Sequence, residues 1–130
     1  MYTMSIVLLT EGMLSLGLLK GKAKQLIKKE AYKQFYMYRV GHMLGLDVHD
    51  VNCVHESSGD FKTFQPGMVM TIEPGLYVAE DRGNVPPAYL GIGVRIEDDI
   101  LVTETGCEVL TSGVPKEIDE VEALINSTKW

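Results

Sequence analysis

Cysteine is scarce in this sequence: Cys53 and Cys107 are its only two. That excludes a disulfide-built scaffold. Their spacing fits no zinc knuckle, so both thiols are expected to be free, in a reducing compartment. Long hydrophobic runs are lacking as well. The apolar stretch Ile6 to Leu9 is too short to span a bilayer and no basic region precedes it, so no membrane partner and no targeting signal are expected, and the predicted location is cytoplasmic. Positive charge is in the minority, with twelve Lys and Arg against eighteen Asp and Glu and a net charge of −6. Phosphate binding needs clustered cations, which excludes nucleic acid and anionic lipid as main partners. The one basic cluster, Lys20 to Lys29, reads as the solvated face of an amphipathic helix. There is no HExxH, no paired CxxC, no GxSxG, no phosphate loop, no repeat and no low-complexity segment.

What is present is an ordinary globular composition: 130 residues, 45% hydrophobic and 23% charged, enough for one modest domain over 1–130 with a real core. Ile6, Leu9, Met13, Leu16 and Leu19 recur at helical spacing and predict a helix over 5–19, with Gly17 near its end and Gly21 beyond. A short lysine-rich helix is expected over 22–30. From Phe35 onward, Tyr36, Tyr38, Val40, Leu44, Leu46 and Val48 predict extended chain or turns. Residues 55–66 and 80–90 read as loops, and His55 as a solvated histidine in the first of them. Residues 67–78 predict a strand broken at Pro74, which has no N–H to give to a ladder. Residues 91–103 predict one alternating strand, turning at Glu104–Gly106 into a hairpin with 108–110, and 116–125 predict a last helix. Met4, Met13, Met37, Met43, Met68 and Met70 are expected to fill core space. Helices and strands segregate, so the fold class expected is α+β.

Three segments carry groups able to share a cation, since manganese and similar ions take carboxylate and imidazole ligands. His42 and His49 lie seven apart, flanked by Asp47 and Asp50, with Gly45 to turn the backbone between them. Each can equally be a satisfied core histidine. Glu73 ends an apolar strand, where a carboxylate is either an exposed strand end or is paired or metal-bound. Alternation places Arg95 and Glu97 on one strand face. An ion pair is the plain reading, and an arginine beside a carboxylate also favours the ionised form that a metal ligand needs.

Taken in order, TEGMLSLGLLKG, VGHMLGLDVHDV, PGMVMTIEPGLYV and GIGVRIEDDILVTETGCEVLT resemble the metallopeptidase family of aminopeptidase P, prolidase and methionine aminopeptidase, above all its Xaa-Pro aminopeptidase branch. The resemblance implies the C-terminal half of a pita-bread fold, a curved antiparallel sheet with covering helices. It implies two metal ions, usually Mn2+, bridged by carboxylates and lowering the pKa of a shared water. It implies His42, Glu73 and Glu97 as metal ligands, with Glu73 also moving the proton. His49 would be the substrate-side histidine and Arg95 the arginine beside the bridging carboxylate. The substrate implied is a peptide with proline in second position.

The family's site has five protein ligands, two of them aspartates upstream of the histidine. Only 41 residues precede His42 here and none is Asp; the acids among them are Glu11 and Glu30. Both aspartates are therefore expected to be absent, with the N-terminal domain and the first half of the catalytic domain. Tyr38 stands where relatives commonly carry a further histidine. Two functions follow: a fragment of a metal-dependent aminopeptidase, or a catalytically inactive truncated paralogue or binding module that keeps the fold. Half a pita-bread fold would expose a sheet edge and apolar surface, so self-association or pairing with a complementary N-terminal half is expected.

Overall fold

The computed structural model describes residues 1–50 and 61–127. In chain order the elements are α1 (Tyr2–Ser15), α2 (Ala23–Lys28), a 3-10 turn (Ala31–Gln34), β1 (Met43–Leu44), β2 (Val69–Ile72), β3 (Gly75–Tyr77), a second 3-10 turn (Pro87–Tyr89), β4 (Gly93–Arg95), β5 (Asp98–Val102), β6 (Cys107–Val109) and α3 (Ile118–Ser127). The class is α+β. The chain divides into two compact units, Met1–Gly41 with Glu73–Glu97, and His42–Ile72 with Asp98–Trp130.

The first unit is built on α1. Ile6 and Met13 are buried on the same helical face, and the helix stops where Gly17 takes φ +73, a left-handed value that a side chain resists. The Gly17 N–H then donates to the Leu14 carbonyl (3.1 Å) and the Leu18 N–H to the Met13 carbonyl (2.9 Å), which closes the helix end. Leu18 and Leu19 thereby enter the core from beyond the helix rather than from within it. They join Tyr32, Phe35, Tyr36 and Val78 around Met13. Burying each large side chain of that set contributes about 1.5–3 kcal/mol. Thr10, also buried, satisfies its hydroxyl on the Ile6 carbonyl at 2.6 Å. Strands β3 and β4 pair antiparallel, Gly75 opposite Arg95 and Tyr77 opposite Gly93. The Tyr77 N–H donates to the Phe35 carbonyl at 2.9 Å, which ties this ribbon to the core.

The second unit is a four-stranded antiparallel sheet in the order β1-β2-β5-β6. Met70 and Ile100 face each other across β2 and β5 and are its buried hydrophobic pair. Its register runs from Val69 opposite Leu101 to Ile72 opposite Asp98. Helix α3 follows, with Asp119 and Glu120 in its first turn, where the helix dipole favours them.

Several expectations need correction. The strand expected over 91–103 is two: β4 bonds β3, β5 bonds β2, and Ile96–Glu97 lies between them. Helix α1 ends at Ser15 rather than at 19. The loop over 80–90 contains a 3-10 turn. Met13 and Met70 do fill core space, but Met4 and Met37 are more than half exposed. Cys107 is free and exposed, on an edge strand. Cys53, His55 and the loop over 55–60 lie outside the described residues.

Candidate metal centre

In the first unit the sequence Glu73-Pro74-Gly75 ends one strand and begins another. The Glu73 N–H donates to the Val40 carbonyl at 2.7 Å, and Pro74 can donate nothing, so the ladder stops there. The Glu73 side chain is only 16% exposed. Arg95 closes β4 and lies between two carboxylates: its Nη1 is 3.6 Å from Glu73 Oε2 and its Nη2 is 3.4 Å from Glu97 Oε2. One carboxylate oxygen of Glu73 lies within 4.8 Å of one of Glu97. At that separation two negative charges repel by about 0.9 kcal/mol in a water-like dielectric. A single guanidinium, itself half exposed, offsets that repulsion. The backbone pairing of Gly75 with Arg95 adds to the ion pairs in holding the group.

The same ribbon carries an aromatic wall. A Cβ at Gly75 would stand 2.6 Å from Tyr77 Oη, and one at Gly93 would stand 2.8 Å from Tyr77 Cδ1. The Tyr77 ring therefore lies across both glycines. The Tyr38 ring meets it edge-on at 5.7 Å and 86°.

In the second unit His42 precedes β1. Its N–H donates to Thr71 Oγ1 at 3.0 Å and its carbonyl accepts the Thr71 N–H at 2.8 Å. Its Nδ1 lies 3.1 Å from the Met43 carbonyl, which can only accept, so Nδ1 carries a proton, and in the neutral ring that leaves the lone pair on Nε2. That is the tautomer a metal ligand needs. The His49 ring stands edge-on to the His42 ring at 4.3 Å. The turn between them closes through the Asp50 N–H donating to the Met43 carbonyl at 3.1 Å. A Cβ at Gly45 would fall on the Asp50 carboxylate, so any other residue there must displace that side chain.

The structure thus gathers Glu73, Arg95 and Glu97 in one unit and His42 with His49 in the other. Sequence reasoning missed Thr71, which anchors His42. A lone threonine inside the apolar run Val69–Ile72 was the available signal. Imidazole nitrogen and carboxylate oxygen are both donors that suit a first-row divalent cation.

Residues 6–104 match the family described as Metallopeptidase family M24. The chain belongs to that family. Among M24 relatives, it is 51% identical over 117 residues to the Xaa-Pro aminopeptidase of Haemophilus influenzae, 90% of this chain and 26% of that protein. The solved structure of Pseudomonas aeruginosa aminopeptidase PepP matches with a TM-score of 0.91 at 51% identity, over 97% of this chain and 28% of that one. Escherichia coli aminopeptidase P, solved with the inhibitor Pro-Leu, matches with a TM-score of 0.84 at 47% identity, over 94% and 27%. The chain therefore spans about a quarter of the length of the M24 relatives it matches. Its antiparallel sheets and helices are part of the pita-bread fold that those aminopeptidases share. No helix among the described residues is long and apolar enough to cross a membrane.

Proposed function

We propose that residues 1–130 carry the C-terminal share of a metal-dependent aminopeptidase domain that removes the residue preceding an N-terminal proline, in the cytoplasm. His42, Glu73 and Glu97 are its metal ligands and Mn2+ its cation. The observation that carries this reading is the placement of two carboxylates within 4.8 Å of each other around one arginine, in a chain of a metallopeptidase family.

When bound, the metal supplies charge that lowers the pKa of water and stabilises negative charge on a carbonyl oxygen. The chain's own residues do the rest. His42 offers Nε2 because its Nδ1–H is held by the Met43 carbonyl. Arg95 keeps Glu73 and Glu97 side by side. Glu73 takes the proton released in hydrolysis. His49 donates a hydrogen bond to the peptide at the scissile bond. The substrate class comes from the relatives, which are Xaa-Pro aminopeptidases, one of them solved with Pro-Leu. Exposed apolar residues support a covering partner, a second copy or a complementary N-terminal half: Val94 and Ile96 in the first unit, and Val114, Ile118, Leu124 and Ile125 in the second.

The chain supplies three of the five ligands that the resemblance implies, so calorimetric titration should find one weak Mn2+ site and no turnover of Xaa-Pro peptide by these 130 residues alone. Glu97→Ala and His42→Ala should each abolish binding while the circular dichroism spectrum stays native. Two tight sites, or binding unchanged in both variants, would overturn the ligand assignment.

A further inference from the structure

We propose that Asp98, Thr111 and Lys116 form a positioning latch that sets the spacing of the Glu73 and Glu97 carboxylates, and through it the affinity for a divalent cation. This rests on the reading of the two glutamates as ligands, and it concerns residues that touch neither metal nor substrate.

The latch is a closed set of hydrogen bonds. Asp98 Oδ1 accepts the Thr111 hydroxyl at 2.5 Å and the Lys116 ammonium at 2.9 Å. The same Thr111 oxygen accepts the Asp99 N–H at 3.1 Å, and Lys116 Nζ also donates to the Thr111 carbonyl at 3.1 Å. The Leu110 N–H donates to the Asp99 carbonyl at 2.8 Å. All five bonds grip the first two residues of β5 or the threonine that holds them. The Asp98 and Lys116 side chains are about three-quarters covered, so the pair is screened less than an ordinary surface pair.

The position of the latch gives it its role. Ile72 opposite Asp98 is the last rung of the β2–β5 ladder. Glu73 follows Ile72 and Glu97 precedes Asp98, so this rung is one peptide bond from each carboxylate-bearing residue. Past it the ladder has no further rung, because Pro74 lacks an N–H and β3 and β4 belong to a separate sheet. The last rung of a ladder frays unless something holds it, and here side chains from beyond β6 do so. Metal ligands must be held to about 0.5 Å, so loosening this rung loosens the spacing the cation requires. Thr111 suits the task because a hydroxyl donates to Asp98 and accepts from Asp99 through one atom.

The experiment compares the full chain with Thr111→Val, Thr111→Ser and Lys116→Met. Two quantities are read: Mn2+ affinity by calorimetry, and the carboxyl 13C resonances of Glu73 and Glu97 by NMR without metal. Thr111→Val should weaken Mn2+ binding about 10–100-fold and shift both resonances, with a native circular dichroism spectrum. Thr111→Ser should restore both readouts. Should Thr111→Val fail to fold, Lys116→Met, which keeps the hydroxyl, should still shift both resonances. Resonances unmoved in a folded Thr111→Val or Lys116→Met variant overturn the latch. A wild-type chain that binds no Mn2+ overturns the ligand reading instead, and the metal-free resonances then still decide whether the latch sets the carboxylates.

Discussion

Replacing Gly93 by alanine tests the aromatic wall beside Glu73 and Arg95. A Cβ at that position would lie 2.8 Å from Tyr77 Cδ1 and 3.4 Å from Cε1. Carbon atoms in contact prefer about 3.5–4.0 Å, so the methyl group intrudes by well over half an ångström on the ring. Overpacking of this kind costs about 1–3 kcal/mol. Alanine also returns about 0.5–1 kcal/mol relative to glycine within a strand, because the unfolded chain has less freedom to lose. The net expectation for Gly93→Ala is a destabilisation of about 0.5–2 kcal/mol, read from urea unfolding. In a Tyr77→Ala background the obstruction is gone. There the same substitution should stabilise by about 0.5–1 kcal/mol, so its sign reverses. The edge-on contact between Tyr38 and Tyr77 should weaken in Gly93→Ala, which near-ultraviolet circular dichroism reads directly. If Gly93→Ala has the same effect in both backgrounds, within about 0.5 kcal/mol, the ring does not lie where this account needs it.

Met13→Ala should cost about 2–5 kcal/mol, since Met13 is fully buried, whereas Met4→Ala should stay within about 0.5 kcal/mol; thermal melts of the two variants check the contrast. The Thr111 hydroxyl, and after it the Lys116 ammonium, hold the Asp98 carboxyl below the ordinary aspartate value. A folded-state value below the unfolded one contributes stability that is present above the unfolded value and lost as pH falls through the folded one. Urea midpoints should therefore fall on acidification below the ordinary aspartate range, and the slope should flatten in Lys116→Met. An equal slope in wild type and variant would remove Asp98 from the account.

The break at Pro74 was legible because one residue carries its cause: without an N–H the ladder must stop, and it does, between β2 and β3. The β5–β6 hairpin and the short helices α2 and α3 were legible for a similar local reason, in turn residues and apolar spacing. The split of 91–103 was not. Period-two alternation tells which face a residue takes but not which strand it bonds, and Gly93–Arg95 and Asp98–Val102 alternate equally well while pairing with different partners. The helical spacing of Leu16 looked like that of Ile6 and Met13, yet only the latter two are buried. Spacing marks a face, and the neighbours decide how much of that face is covered.

By itself the sequence determined which groups are available for chemistry: an imidazole at 42, carboxylates at 73 and 97, an arginine at 95 and a second imidazole at 49. Residue type and short-range spacing are local properties, and they also sufficed to place the chain in its family. Tertiary structure alone decided that one guanidinium serves both Glu73 and Glu97, that Thr71 anchors His42, and that Thr111 and Lys116 reach back to Asp98. Apart from Arg95 with Glu97, which alternation already relates, those contacts join residues that no local period relates, and only closure of the sheets brings them together.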